Sequence, residues 1–157
     1  MPTYTGSKAQ AGRGTNLFIG GVTGAGGSET FTLVGEIKTS GISGVAFDKE
    51  DVSNFQSGVY KEYLATMIDP GQLDMSGNRI STDAGQTAVE VAFLTGLKYD
   101  WKLVLPVNTQ AGQTTTGDTY VFSGYVQSRD IPVDTTKAVS WNVKIQLSGA
   151  PIYTQGS

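Results

Sequence analysis

The sequence contains neither cysteine nor histidine, and these two absences narrow its chemistry before any motif is sought. Without cysteine there are no disulfides, thiolate nucleophiles or thiolate metal sites. Without histidine the commonest general base near neutral pH and the commonest metal ligand are both missing. A Ser-His-Asp arrangement is ruled out. Paired-carboxylate hydrolysis stays formally open because 14 acidic residues are present, but none sits in a recognisable catalytic pattern, and a lysine-activated serine survives as a remote option among many candidates. The expectation is a chain that is not an enzyme and needs no cofactor or metal. Charge is sparse too: 11 basic against 14 acidic residues leave a net charge of −3. That gives no basic face for gripping phosphates, so DNA nearby would be tolerated, not held. Long apolar runs are also lacking. The opening MPTYTGSKAQAGRG has no apolar signal core, and nothing approaches the roughly 18 apolar residues of a membrane span. A soluble chain made in the cytoplasm, with no membrane insertion, is expected.

Glycine is plentiful, with 21 in 157 residues, beside many Ser and Thr. This is the composition of a turn-rich β-protein, and the length suits a single domain over 1–157 burying roughly 70% of its unfolded surface. The clearest pattern lies near the end. From Val139 to Leu147 apolar Val139, Trp141, Val143, Ile145 and Leu147 alternate with Ser140, Asn142, Lys144 and Gln146, the period of a half-buried strand. Before it, Tyr120, Phe122 and Val126 alternate less cleanly, with Val121 and Tyr125 making both faces partly apolar, as in a strand covered on two sides. The turn residues of DIPVDTTK join the two, and Gly149 and Pro151 end the second.

From the beginning of the chain, residues 1–14 read as a polar arm that orders against a neighbour, and Thr15 to Gly20 as a short strand. The glycine-rich GGVTGAGGSET lacks the Gly-Lys-Ser/Thr ending of a phosphate loop and reads as a plain connection. Thr30 to Ser40 reads as one strand, bent or bulged at Gly35, with Glu36 and Lys38 on its polar face. Asp48 to Asp69 fits neither a clean strand nor an amphipathic helix. It holds Phe55, Tyr60, Tyr63, Leu64 and Met67 beside Asp48, Glu50, Asp51 and Glu62, and its DKED cluster lacks calcium-loop spacing, so it reads as a solvated loop. Gln72 to Ile80 reads as a strand. The single helix, 83–96, has Asp83 as its cap, Gln86 in the capping-box position, a stripe of Ala84, Ala88, Val91 and Ala92, and Gly96 as its stop. Tyr99 to Leu105 forms another strand, and 107–119 a mobile hairpin loop. About seven strands and one helix point to a mainly β fold: an antiparallel sandwich or partly closed barrel flanked by one α-helix, with a long loop and an N-terminal arm.

The run F-S-G-Y-V-Q-S, then V-D-T-T-K-A-V, the alternating strand and the closing L-S-G-A-P resemble the C-terminal hairpin of tail tube proteins of long, non-contractile-tailed bacteriophages. T-N-L-F-I-G, the acidic and aromatic middle segment, and the single helix before Y-D-W-K-L-V-L-P follow the same family order over nearly the whole chain. The resemblance implies a virion structural protein made in the host cytoplasm. Its subunits would form hexameric rings stacked into a tube, with sheets joined around a channel for DNA ejection. Tail terminator and tail-tip proteins would be its partners, with tape-measure protein and then DNA inside the lumen. Within that picture Glu36, Lys38, Lys144 and Gln146 are candidates to face the lumen. Phe55, Tyr60, Tyr63, Leu64 and Met67 are candidates to contact another subunit. Related tube folds also serve contractile tails and the type VI secretion system. Two other readings remain: a monomeric carbohydrate- or ligand-binding β-sandwich with Tyr99, Trp101, Tyr125 and Trp141 as a stacking platform, and a capsid decoration or fibre module. In the first, Trp101 and Trp141 fall on the apolar faces of their strands, which favours the core.

Overall fold

The computed structural model describes residues 6–157; the first five residues of the expected N-terminal arm lie outside them. Among the described residues ten strands and one α-helix follow one another: β1 (Asn16–Val22), β2 (Thr32–Leu33), β3 (Ile37–Ser43), β4 (Ala46–Asp51), β5 (Tyr63–Asp69), β6 (Gln72–Asn78), α1 (Ala84–Thr95), β7 (Tyr99–Val104), β8 (Thr119–Asp130), β9 (Ser140–Leu147) and β10 (Ile152–Thr154). All pairings are antiparallel. Eight strands make one sheet in the order β2-β1-β7-β8-β9-β6-β3, with β10 added to β8, while β4 and β5 pair only with each other.

The 12-residue β8 is the spine of this sheet. Its first half pairs with β7, and its second half with β9. The change of partner falls at Gly124, where any Cβ would lie 2.5 Å from the Gln146 carbonyl oxygen. The two halves face each other across a core of Leu17, Ile19, Trp101, Phe122, Trp141 and Ile145. Burying each such side chain is worth about 2 kcal/mol. Trp101 and Trp141 are both 0% exposed, so no stacking platform can include them. Their indole N–H groups are satisfied inside, Trp101 by the Gly124 carbonyl at 3.1 Å and Trp141 by Glu90 at 3.2 Å.

Thr30 to Ser40 is not one strand. β2 ends the strand order beside β1, and β3 ends it at the opposite edge beside β6, so residues 34–36 cross between the two edges. The Val34 N–H donates to Leu17 (2.9 Å), and the Glu36 carbonyl accepts from the Asn78 N–H (3.0 Å). Glu36 takes a left-handed backbone, φ 60°, which a strand cannot hold. The crossing draws the sheet edges together, yet β1 and β3 share no ladder and the barrel stays open.

Helix α1 covers this crossing. Asp83 caps it by accepting from the Gln86 N–H at 2.8 Å, and Gly96, at φ 66°, ends it. The buried stripe differs from the expected one: Gly85, Gln86, Val89 and Ala92 face inward, whereas Ala84 and Val91 are exposed. Gly85 decides this rotation, because the helix lies against the crossing so closely that a Cβ there would stand 2.1 Å from the Leu33 oxygen. Nor does Gln86 complete a capping box. Its amide donates to the carbonyls of Gly35 (3.1 Å) and Asn78 (2.9 Å) and accepts from the Ile80 N–H (2.9 Å) and Arg79 (3.1 Å).

The expected mobile loop at 107–119 contains a 3-10 turn, Thr109–Ala111, and is tied to the end of the chain. The N–H groups of Thr114, Thr115 and Thr116 all donate to the Ser157 carbonyl, and Asp118 accepts from Gln113 at 2.7 Å and from the Gly156 N–H at 2.9 Å.

Candidate functional site

The Asp48 to Asp69 segment is a β-hairpin, not a loop, and begins at Ala46. It continues the β3–β6 pair outward: β3 runs into β4 and β6 is entered from β5, with Gly44 and Gly71 at the two joints. Both glycines have left-handed backbones, φ 76° and 79°, and a Cβ on Gly71 would stand 2.1 Å from the Ser43 oxygen. The joint is anchored from β9, since the Gly71 carbonyl accepts from the Leu147 N–H (3.1 Å) and from the Gln146 side chain (3.0 Å). At about 3.3 Å per residue, the six residues of β4 carry the ribbon about 20 Å beyond the sheet before its tip begins.

Every residue of β4 and β5 is exposed. Adjacent Tyr63 and Leu64 point to opposite faces of the ribbon, so neither face is purely polar. Tyr63 shares its face with Lys49, whose ammonium lies 4.7 Å from the ring centre. A bulge between Phe47 and Lys49 interrupts the ladder near Met67. Phe55 and Tyr60, at the tip, are almost wholly exposed. Period-2 patterning failed to announce these strands because it reports one buried face, and this ribbon buries neither within its own chain. Phe47 and Ile68, paired across the ribbon and also exposed, belong to the same surface.

The candidate lumen residues separate. Lys144 and Gln146 lie on the outward face of β9, within cross-strand pairs Gln72–Gln146, Asp74–Lys144, Ser76–Asn142 and Asn78–Ser140. Thr39, Gly41 and Ser43 of β3 extend these rows on one side, and Ser128 and Asp130 of β8 on the other. The result is a broad sheet face of Ser, Thr, Asn and Gln carrying Asp74, Asp130 and Lys144, with the exposed Tyr125 opposite Gln146. Gln146 is turned to brace Gly71. Glu36 stands beside this face, accepting from the Asn78 side chain at 3.1 Å. Lys38 falls at the bulge between Ile37 and Thr39, outside the cross-strand pairs that hold Lys144, and lines a cleft with Arg13.

The other outward face, over β1, β7 and the first half of β8, is more apolar. Phe18, Lys102, Val121 and Ile152 are neighbours in register there, and the Lys102 ammonium lies 4.7 Å from both the Phe18 and Phe31 rings. Near its edge, Asp100 accepts from Thr23 (2.8 Å) and Ser123 (2.6 Å) and pins the glycine-rich connection after β1. Glu29, which accepts from the Gly21 N–H at 3.0 Å, has its carboxyl pushed above the usual range by burial and by the neighbouring Asp100. Among the described residues no three carboxylates gather in a group fit for a metal ion, and no helix is long and apolar enough to cross a membrane.

No protein-family model and no curated protein matches the sequence. Solved structures do match. A chain in the tail of an empty GTA particle, computed with C6 symmetry, superposes with a TM-score of 0.66 at 17% identity, covering 93% of this chain and 99% of that one. The SPP1 tail tube gives a TM-score of 0.60 at 18% identity, covering 91% and 77%. The tube terminating cap of the anti-feeding prophage gives 0.64 at 11% identity, covering 99% and 97%. The mainly β architecture with one helix, expected from the succession of strand patterns and one helix along the sequence, is therefore the fold of chains solved in phage-type tails, tubes and tube caps.

Proposed function

We propose that this chain is the structural subunit of a phage-type tail tube: it assembles into hexameric rings that stack into a tube, and the tube conducts DNA into the host cell. The observation that carries this reading is the hairpin over residues 46–69, which exposes large apolar side chains on both faces and is uncovered in the single chain. An isolated two-stranded hairpin is marginal in water, and apolar area this large marks an interface. Two apolar faces call for cover on both sides, which a hairpin wedged between neighbouring copies receives. The sixfold symmetry of the GTA tail, whose chain shares this fold, supports six subunits per ring.

The polar face over β3, β6, β9 and the second half of β8 suits the channel wall. Its Ser, Thr, Asn and Gln hold water, and its single lysine offers passing phosphates little to bind. Tail terminator and tail-tip proteins would close the ends, with tape-measure protein filling the lumen before DNA. The role is mechanical, requires no cofactor and places the chain in the virion. Negative-stain microscopy and size-exclusion chromatography of the purified chain test the proposal: rings or tubes are expected, unaffected by a chelator. A monomer at every concentration, or tubes that need one particular cation, would count against it.

A further inference from the structure

We infer that Glu29 and Asp100 form a proton-operated latch on the glycine-rich connection between β1 and β2, closed when the two carboxyls share one proton and released when both are ionised. The latch belongs to the single folded chain and stands whether or not copies assemble. Residues 23–31 have little else to hold them. Their backbone ties lie at the root, where the Ala25 N–H donates to Val22 (3.1 Å) and the Thr23 N–H to Lys98 (2.9 Å). Gly24, Gly26 and Gly27 follow with left-handed backbones, and a Cβ on any of them would meet nothing within 4 Å. Such a stretch is conformationally free unless side chains pin it.

The pins converge on one recess of about 430 Å³, which Glu29 and Asp100 line together with the glycines. Asp100 Oδ1 accepts from the hydroxyls of Thr23 (2.8 Å) and Ser123 (2.6 Å). Glu29 Oε1 accepts from the Gly21 N–H (3.0 Å), and its carboxyl lies within hydrogen-bond reach of the Asp100 carboxyl. Two carboxylates in contact repel, whereas one proton between them makes a hydrogen bond, and the two then titrate as a pair. The surrounding strands do not offset the repulsion. β1 presents Gly20 and Gly21, β8 presents Ser123, and Lys102, on the same face of β7 as Asp100, has its ammonium over the Phe18 and Phe31 rings. Among the described residues neither acid is in an ion pair.

Closure lays the Glu29 carboxyl and the Phe31 ring against Gly20, where a side chain would strike both. Release frees Phe31 from its place over Lys102, so the latch decides whether the apolar face over β1 and β7 is covered there. Burial and Asp100 raise the Glu29 carboxyl above its usual range, outweighing the Gly21 N–H, which lowers it. The closed form therefore binds the proton more tightly than the open one. Closure is complete below the ordinary glutamate pKa and is lost as pH rises through the raised one.

The absence of cysteine makes the test clean. A nitroxide label on Ala25→Cys, an exposed position in the connection, reports its motion by electron paramagnetic resonance in chains of any assembly state. The label should be slow at pH 4.5 and fast at pH 7.5. Glu29→Gln and Asp100→Asn each replace the shared proton by a permanent amide donor, so either should keep the label slow at both pH values. Gly20→Ala, whose methyl takes the place of the Glu29 carboxyl, should leave it fast at both. A label equally mobile at both pH values in the otherwise wild-type chain overturns the latch. So does a Glu29→Gln chain that loosens with pH as wild type does, or an equal response from a label on Lys137→Cys in the exposed 131–139 connection.

Discussion

Replacing Gln86 should damage this protein more than replacing any surface residue, and the structure sets the size of the loss. The side chain is 0% exposed, and its amide satisfies the Gly35 and Asn78 carbonyls and the Ile80 N–H. Gln86→Ala takes the side-chain partner from three part-buried backbone groups, at about 1–3 kcal/mol each where water cannot replace it. Allowing for partial relaxation and water entry, the net destabilisation is about 3–5 kcal/mol, a large share of the roughly 5–15 kcal/mol that holds a typical domain. For a chain of this length that lowers Tm by about 6–20 °C. Gln86→Glu is the sharper variant. Ionised, it keeps the contacts to Ile80 and Arg79 but turns a second carboxylate oxygen toward two carbonyls. Protonated, it regains one donor. The Arg79 guanidinium favours the ionised form, but full burial and two carbonyls facing the carboxylate oppose it and together raise the folded-state pKa above the unfolded value of about 4.3, so the folded state holds the extra proton. The variant's stability, relative to wild type, should then be greatest near pH 4 and fall as pH rises through the raised pKa. Thermal unfolding followed by circular dichroism at pH 4, 5.5 and 7 measures both effects. A Gln86→Ala Tm within 2 °C of wild type, or a Gln86→Glu deficit that does not grow with pH, would refute the argument that this amide locks the edge-to-edge crossing.

Three further outcomes are expected. Phe55→Ser, Tyr60→Ser and Tyr63→Ser together should leave a folded, soluble monomer with native circular dichroism but no tubes; an unfolded product would place these rings in the core, and persistent tubes would put the stacking contact elsewhere. Lysines introduced at Ser140 and Asn142, on the polar sheet face, should permit assembly yet slow DNA ejection, more at low salt than at high; normal ejection at every salt concentration would show that this face does not line the channel. Asp118 is held below the usual carboxylate range, first by the Gly156 N–H and then by Gln113, so its stabilising effect is complete above the ordinary Asp pKa and lost as pH falls through the depressed one. Wild type should accordingly loosen around Thr114 to Thr116 and β10 in acid, seen as shifts of their amide NMR signals below about pH 4, whereas Asp118→Asn should show at neutral pH the loosening that wild type shows only in acid.

Sequence alone determined the elements whose burial is one-sided. β9 is legible because Trp141, Val143, Ile145 and Leu147 point inward while Ser140, Asn142 and Lys144 do not, and the ends of α1 are legible because Asp83 and Gly96 act through local backbone geometry. The absence of His and Cys likewise narrowed the chemistry without any coordinates. Tertiary structure decided what depends on distant partners. The break at Gly35 and Glu36 exists because the Leu17 carbonyl accepts the Val34 N–H while the Gln86 amide and the Asn78 N–H donate to the Gly35 and Glu36 carbonyls, and no local pattern encodes these partners. Helix rotation was set by the close approach of Gly85 to Leu33, which outweighs an alanine stripe. Lys38 left the polar face for the cleft through a one-residue bulge, and a one-residue offset reverses every side chain of a strand. The hairpin was hidden for a different reason: its residues carry no buried face to read, because the surfaces proposed to cover them belong to other copies of the chain.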